Sequence, residues 1–403
     1  EKIRLGHVEP EEIGIKSRKL NGIDKIAKDA IRKGAFPGCQ ILAIKDGNVF
    51  YNKAFGHHTY DKQRPVLKDD IYDLASITKI AATTISLIKL QNEGVLHIDS
   101  TLSNYLPELV DSTPYQNMVL RKMLAHQAGL FPWIPFYTKT LVEGNLNPEI
   151  YSNIRTTKFS DKVAENMFIN ADYDTIMLQT ITKKALIRKR YKYSDLGYYF
   201  LKAIIEKRTG KTLDQYVMEN FYHPMGLSNI SYHPLDKFEK SRITPTEDDK
   251  IFRKQLVWGN VHDPGAAMQG GVGGHAGLFS NAMDLGTLMY MLINDGKYAG
   301  EQILDATTIA NFTKCQFCPS NRRGAGFDKP VRSLDGGPTC DKVSLSSFGH
   351  SGFTGTLTWA DPDKGIIYVF LSNRVYPNAE NWLITSENIR TRIQDVIYQA
   401  ADF

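Results

Sequence analysis

The sequence predicts an α/β (α+β) fold, an antiparallel sheet flanked by helices with an all-helical lobe inserted into it. Three observations carry this. Strand-like runs lie near both ends of the chain, at Cys39 to Ile44 with Val49 to Ala54, and at Phe348 to Ala360 with Ile366 to Ser372. Helical periodicity dominates between them. A chain of 403 residues also exceeds one comfortable core, so two lobes are expected. A mixed lobe over residues 1–70 and 265–403 and a helical lobe over 71–264 follow.

The first helix reads from Lys19 to Lys33. Asp46-Gly47 between the two following runs is a strong two-residue hairpin turn. Ser76 to Asn92 reads as one helix stopped by Gly94, and Val119 to His126 as another ending near Gly129. Leu196, Tyr199, Phe200, Ala203 and Ile204 recur at helical spacing, with Gly210 as the stop. Leu213 to Phe221 is a further helix. The pattern is poorer between Glu143 and Arg190, which reads as an insertion or rim. Gly270-Gly271-Val272-Gly273-Gly274 lacks the lysine and following helix of a phosphate loop, and reads as a tight backbone crossing. Helices near Asp284 to Asn294 and Ser386 to Ala400 complete the chain.

Composition excludes several function classes. The net charge of +5 is mild and no basic cluster is interleaved with aromatics, which disfavours nucleic-acid binding. No apolar run approaches a membrane-spanning length. Glu1-Lys2-Ile3-Arg4 lacks the pattern of a secretory leader. Cys315-x-x-Cys318 has no second pair to complete a structural zinc site. Ordinary thiols or a local bridge are expected there, beside Cys39 and Cys340.

Ser76-Ile77-Thr78-Lys79 is the most informative segment. Residues at i and i+3 share a helix face. A lysine amine there can take the serine proton and make the hydroxyl a nucleophile. A helix start also favours developing negative charge. Serine before a helix is equally a favoured N-cap, so the motif is ambiguous alone. Ser86-Leu87-Ile88-Lys89 repeats it mid-helix, where the hydroxyl is expected to bond back to the preceding turn.

Acyl transfer needs two further parts. One is a group to carry the proton to the leaving atom. Tyr193-Ser194-Asp195 offers a phenol whose ionisation a nearby ammonium would favour. Tyr115, Tyr151 and Tyr376 begin similar tripeptides, but Gly197 and a well-formed helix follow Tyr193. The other part is a set of oxyanion donors. His350-Ser351-Gly352 on a predicted strand, with the N–H of Phe353, offers these together with the N–H of Ser76. His275-Ala276-Gly277 repeats that pattern in a glycine loop.

The order Ser76-x-x-Lys79, Tyr193-Ser194-Asp195, His350-Ser351-Gly352 resembles the serine β-lactamase and penicillin-binding-protein superfamily, in particular its class C β-lactamase-like branch. Leu120 to Leu130 looks like that branch's Leu-Leu-x-His-x-x-Gly-Leu segment. Gly274 to Ser280 looks like its loop entering the next helix. The resemblance implies a β-lactamase/transpeptidase-like fold. It further implies Ser76 as nucleophile, Lys79 as its base and Tyr193 as proton shuttle. Asp195, His350, Gly352 and Phe353 would line the substrate site. No metal or organic cofactor is implied. A peptide or small-molecule substrate, a periplasmic or extracellular location with the signal peptide outside this chain, and fusion to another domain in a longer precursor are compatible with it.

Two departures stand out. Histidine replaces the lysine of the family's commonest third motif, and aspartate replaces asparagine in the second. A histidine of ordinary pKa is only about a quarter protonated at pH 7. Both changes weaken the expected pull on a substrate carboxylate and argue against efficient β-lactam hydrolysis. If His350 must be cationic, acidic substrates should bind more tightly below about pH 6.5. Trp133, Phe136 and Tyr137 read equally as an apolar rim or as lobe packing. The expected activity is a serine hydrolase acting on peptidoglycan-related peptides, amides or esters. A carboxylesterase on the same scaffold is the nearest rival, and a non-catalytic cell-wall-binding module is the rival of another class.

Overall fold

Asp46 and Gly47 both take positive φ, 48° and 80°, as the predicted tight turn requires. The turn joins Gly38–Lys45 to Asn48–Gly56 in the main sheet. The computed structural model describes residues 5–188, 190–331 and 337–403; Glu1 to Arg4, with the expectation made of them, lie outside this set. The main sheet has six strands, in the order Gly6–His7, Asn48–Gly56, Gly38–Lys45, Ile366–Ser372, Thr356–Asp361, Phe348–Gly352. The first pair is parallel and the others antiparallel. Its centre joins the two ends of the chain, with Leu42 opposite Val369.

Strand alternation splits the buried residues into two cores. Leu42, Ile44 and Val369 share one with Leu285, Leu288 and Leu292 of the helix Ala282–Ile293. Ile41, Ala43 and Phe370 share the other with Ile23 and Ala27 of Ser17–Arg32 and with Ile393 and Ile397 of Ile389–Ala400. Both faces are therefore covered by helices.

Four expectations are refined. The predicted strand from Phe348 to Ala360 is a hairpin, turning at Phe353 to Gly355, where Gly355 has φ 104°. The predicted helix from Ser76 to Asn92 is a 3-10 turn over Ala75–Ile77, a π-helix over Lys79–Thr84 and an α-helix over Ile85–Asn92. Every side chain of the π-helix is buried, so packing on all sides overrides local preference, and such π turns concentrate at functional sites. The predicted C-terminal helix breaks at Asn388, which has φ 50°. The region read as helical also holds short strand pairs, among them Tyr151–Ser152, Asp161–Ala164 and Met167–Ile169 in the segment taken as a rim. The glycine stretch is a backbone crossing: a Cβ at Gly274 would lie 2.3 Å from the Tyr198 carbonyl oxygen. Among the described residues no helix is long and apolar enough to cross a membrane.

Candidate active site

The Ser76 turn is built on Asp73. Its carboxylate accepts from Ala75 N–H at 2.8 Å and from His262 N–H at 2.7 Å. Ala75 then takes φ 48°, a left-handed value that alanine rarely adopts. The turn is pinned from the sheet side. Thr354 Oγ1 donates to the Asp73 carbonyl at 2.7 Å and Thr356 Oγ1 to the Leu74 carbonyl at 3.0 Å. Ser76 follows, half-buried, and caps nothing: the 3-10 turn has Leu74 at its N-cap with no side-chain cap bond.

Lys79 Nζ donates to Ser76 Oγ at 2.9 Å. The Tyr193 hydroxyl donates to the same oxygen at 3.1 Å. These three side chains thus meet, although 117 residues separate Ser76 from Tyr193. Tyr193 is held through the two residues that follow it. Ser194 N–H donates to His126 Nδ1 at 3.1 Å and Asp195 N–H to the Pro132 carbonyl at 3.0 Å. The His126 ring packs on Tyr193 at 4.4 Å between centroids.

Asp195 does not simply face the cleft. Its Oδ1 accepts from Lys79 Nζ at 2.6 Å. Burial alone would lower the Lys79 ammonium, but the Asp195 carboxylate, aided by Tyr193, outweighs it and holds the ammonium above the usual lysine value. Lys79 therefore rests charged. The phenol also departs from expectation. Desolvation pushes Tyr193 up and Asp195 adds to this, against the opposing pull of Lys79. A phenolate near neutral pH is thus not the resting state.

The third motif arrives through close packing. A Cβ at Gly352 would lie 2.2 Å from Thr356 Oγ1 and 2.5 Å from the Leu74 carbonyl oxygen. Only glycine lets this strand end rest against the Ser76 turn, which brings Phe353 beside it. Arg374 Nε donates to the Phe353 carbonyl at 2.8 Å and fixes that turn. Phe353 and Trp382 are exposed large apolar side chains in contact, with ring centroids 5.5 Å apart.

His350 is buried, with Nδ1 bonded to the Ser351 carbonyl at 2.7 Å and Nε2 unpartnered among the described residues. Burial, then the charges of Arg323 and Lys79, drive its pKa well below the usual histidine value. His350 is neutral, in line with the weak pull expected of it, and the conditional cationic role below pH 6.5 loses its support. The fixed cation next to it, Arg323, escaped the sequence reading. Arg322-Arg323 is an unremarkable dipeptide, and only the fold carries it to Tyr193.

The decoys go elsewhere. Ser86 Oγ donates to the Ala82 carbonyl at 2.7 Å. Tyr151 pairs with Thr140 Oγ1, and His275 with Asp263. Trp133 remains exposed, whereas Phe136 packs on Tyr199 and Tyr137 stacks on Phe252. Cys315 and Cys318 form a disulfide, while Cys39 and Cys340 are free and buried.

Comparison with known proteins adds a second line of support. A family model described as Beta-lactamase matches residues 23–383. The chain is 33% identical over 393 residues to a protein of Escherichia coli (strain K12) named "Putative D-alanyl-D-alanine carboxypeptidase", covering 91% of this chain and 84% of that one. Among solved structures it is similar to EstCE1, "a hydrolase with promiscuous acyltransferase activity", with TM-score 0.68 and 19% identity over 94% of this chain and 99% of the other. It is also similar to a penicillin-binding protein homologue from Caulobacter crescentus, with TM-score 0.67 and 17% identity over 96% and 99% of the two chains. At these identities the two structures speak to the fold.

Proposed function

Because this chain belongs to the beta-lactamase family, we propose that Ser76 is the nucleophile of a hydrolase that forms an acyl-enzyme on peptidoglycan-related peptides, amides or esters. The protein is a serine hydrolase of the β-lactamase type. The observation that carries the residue assignment is the convergence of Lys79 Nζ and the Tyr193 hydroxyl on one half-buried oxygen, Ser76 Oγ.

The hydrogen-bond chain orders the proton steps. Lys79 first passes a proton to Asp195 across their 2.6 Å contact. Its freed nitrogen then takes the Ser76 proton as Oγ attacks the carbonyl carbon. The N–H groups of Ser76 and Phe353 receive the oxyanion. Tyr193 gives its phenol proton to the leaving atom and regains one from Lys79, which regains one from Asp195. Water reverses the sequence to release the acyl group.

Two features support an anionic peptide as substrate. Among the described residues, Lys79, Arg322 and Arg323 pair with Asp195 and Asp328, three cations against two carboxylates. That excess favours a substrate carboxylate even with His350 neutral. The carboxypeptidase names of the relatives point the same way. A peptidoglycan substrate implies work at the cell envelope, periplasmic or extracellular, and the Cys315–Cys318 disulfide fits an oxidising compartment. Exposed Phe353 and Trp382 favour the second reading, an esterase accepting apolar groups.

The test is covalent labelling. Incubation with a fluorophosphonate or a β-lactam should add one adduct mass, absent from Ser76→Ala. Rates on p-nitrophenyl butyrate, a chromogenic cephalosporin and a D-Ala-D-Ala peptide then rank the substrate classes. An adduct that persists in Ser76→Ala would overturn the assignment.

A further inference from the structure

We propose that Arg323 is a positioning residue for the Tyr193 proton transfer, presenting from the loop after the Cys315–Cys318 disulfide the fixed cation that the third motif lacks. The proposal rests on the reading of Tyr193 as the proton carrier.

The geometry is specific. The Arg323 guanidinium lies 5.2 Å from the centre of the Tyr193 ring and 5.7 Å from that of Tyr191. Its Nε donates to the Tyr191 hydroxyl at 3.2 Å and sits 3.3 Å from Asp328 Oδ1. The side chain is buried, and Nη1 has no hydrogen-bond partner among the described residues. A buried guanidinium with a free N–H group is costly unless its charge serves a neighbour. The neighbour that it covers is the ring whose hydroxyl touches Ser76.

The loop is anchored to that same place. Asn321 Nδ2 donates to the Ala125 carbonyl and to Gln127 Oε1, both at 2.8 Å. These flank His126, which packs on the Tyr193 ring. Cys315 Sγ lies 3.2 Å from the Asn321 carbonyl oxygen, which sets the disulfide against the residue two places before Arg323. The loop that carries the arginine is therefore anchored to the segment that packs on the tyrosine.

The chemistry follows from what surrounds Tyr193. Lys79 faces it from the π-helix, Asp195 from its own turn, Tyr198 from the next helix, the rings of His126 and His350 at 4.4 and 6.1 Å between centroids, and Arg323 from the disulfide loop. Both histidines are neutral, each through burial first and the Arg323 charge next. Asp195 and Lys79 are engaged with each other. Arg323 is left as the cation that stabilises phenolate character when Tyr193 hands its proton to the leaving atom.

The test uses Arg323→Met, Arg323→Lys and Asp328→Asn in the full chain, with p-nitrophenyl butyrate as probe and kcat/KM measured from pH 5 to 10. Arg323→Met should lower kcat/KM at pH 7 at least 10-fold and move the descending limb, set by loss of the Tyr193 phenol proton, up by about one pH unit. Arg323→Lys should restore most of that shift. Asp328→Asn, which frees the guanidinium from its carboxylate, should move the limb the other way. Circular dichroism establishes that each variant is folded; should Arg323→Met not fold, Asp328→Asn and Arg323→Lys decide. A limb that stays in place in the folded variants overturns the proposal. Wild-type protein that fails to label with fluorophosphonate would instead overturn the reading of the site itself, so the two failures are distinct.

Discussion

The Asp195 carboxylate lies 2.6 Å from the Lys79 ammonium, across 116 residues of sequence. Lys79 is fully buried and Asp195 retains some solvent contact. The pair keeps Lys79 charged beside Ser76.

Replacing that carboxylate should therefore change the pH at which the enzyme works. In Asp195→Asn the ammonium loses the charge that holds its proton, and burial then lowers it. The variant has no carboxylate to take that proton, so Lys79 must lose it to solvent, and the ascending limb of kcat/KM should move up by at least about one pH unit. The raised ammonium stabilises the fold fully below the ordinary lysine value of about 10.4, and that contribution is lost as pH rises through the folded value. Asp195→Asn should thus lose about 2 kcal/mol of stability at pH 7, less than a fully buried pair would. An unchanged limb would remove Asp195 from the proton path.

Neutral His350 selects between the two pH profiles that the sequence left open. The affinity for an acidic substrate should stay flat from about pH 8 to 5.5, the range where a free histidine changes charge. Ten-fold tighter binding at the acid end would reinstate a cationic imidazole.

The same burial makes the fold sensitive to acid. His126 and His350 both have folded values well below the ordinary histidine value. The unfolded chain takes up protons below about pH 6.5 that the folded chain does not, so stability is complete above that pH and lost below it. Urea unfolding should show a slope of up to about 1.4 kcal/mol per pH unit for each histidine between pH 6 and 5. A pH-independent midpoint over this interval would contradict it.

Gly352→Ala tests the packing of the third motif on the first. The added Cβ meets the Leu74 carbonyl oxygen at 2.5 Å, so the nucleophile turn must shift. A displacement of this size should slow fluorophosphonate labelling about 100-fold. Labelling at the wild-type rate would show that the turn tolerates the shift.

Much of the site was legible because motif spacing and chain order travel with the sequence. Ser76, Lys79 and Tyr193 are brought together at hydrogen-bond distance. The hairpin at Asp46-Gly47 and the helix Leu196–Thr209 with its Gly210 stop follow local rules that no tertiary contact opposes. What was not legible depends on partners distant in sequence. Against the burial of its own side chain, Lys79 is kept charged by Asp195; His350 is kept neutral by burial and by Arg323. Neither partner is a neighbour in the chain. The π-helix was hidden for the same reason, since residues packed around Lys79–Thr84 decide its winding. Glycine at 352 was noted for substrate access, whereas the fold uses it for contact with the Leu74 backbone.

The pairing of Gly38–Lys45 with Ile366–Ser372 has a bearing on biosynthesis. The early hairpin waits through more than three hundred residues of translation for the strand that completes its sheet, and closure over such a separation is slow. The strand Phe348–Gly352 and the turn after it, made just before, bring His350 to Phe353 beside the Ser76 turn. A nascent chain therefore carries Ser76 before the backbone that packs against its turn exists, and that packing is completed only when the last strands are made.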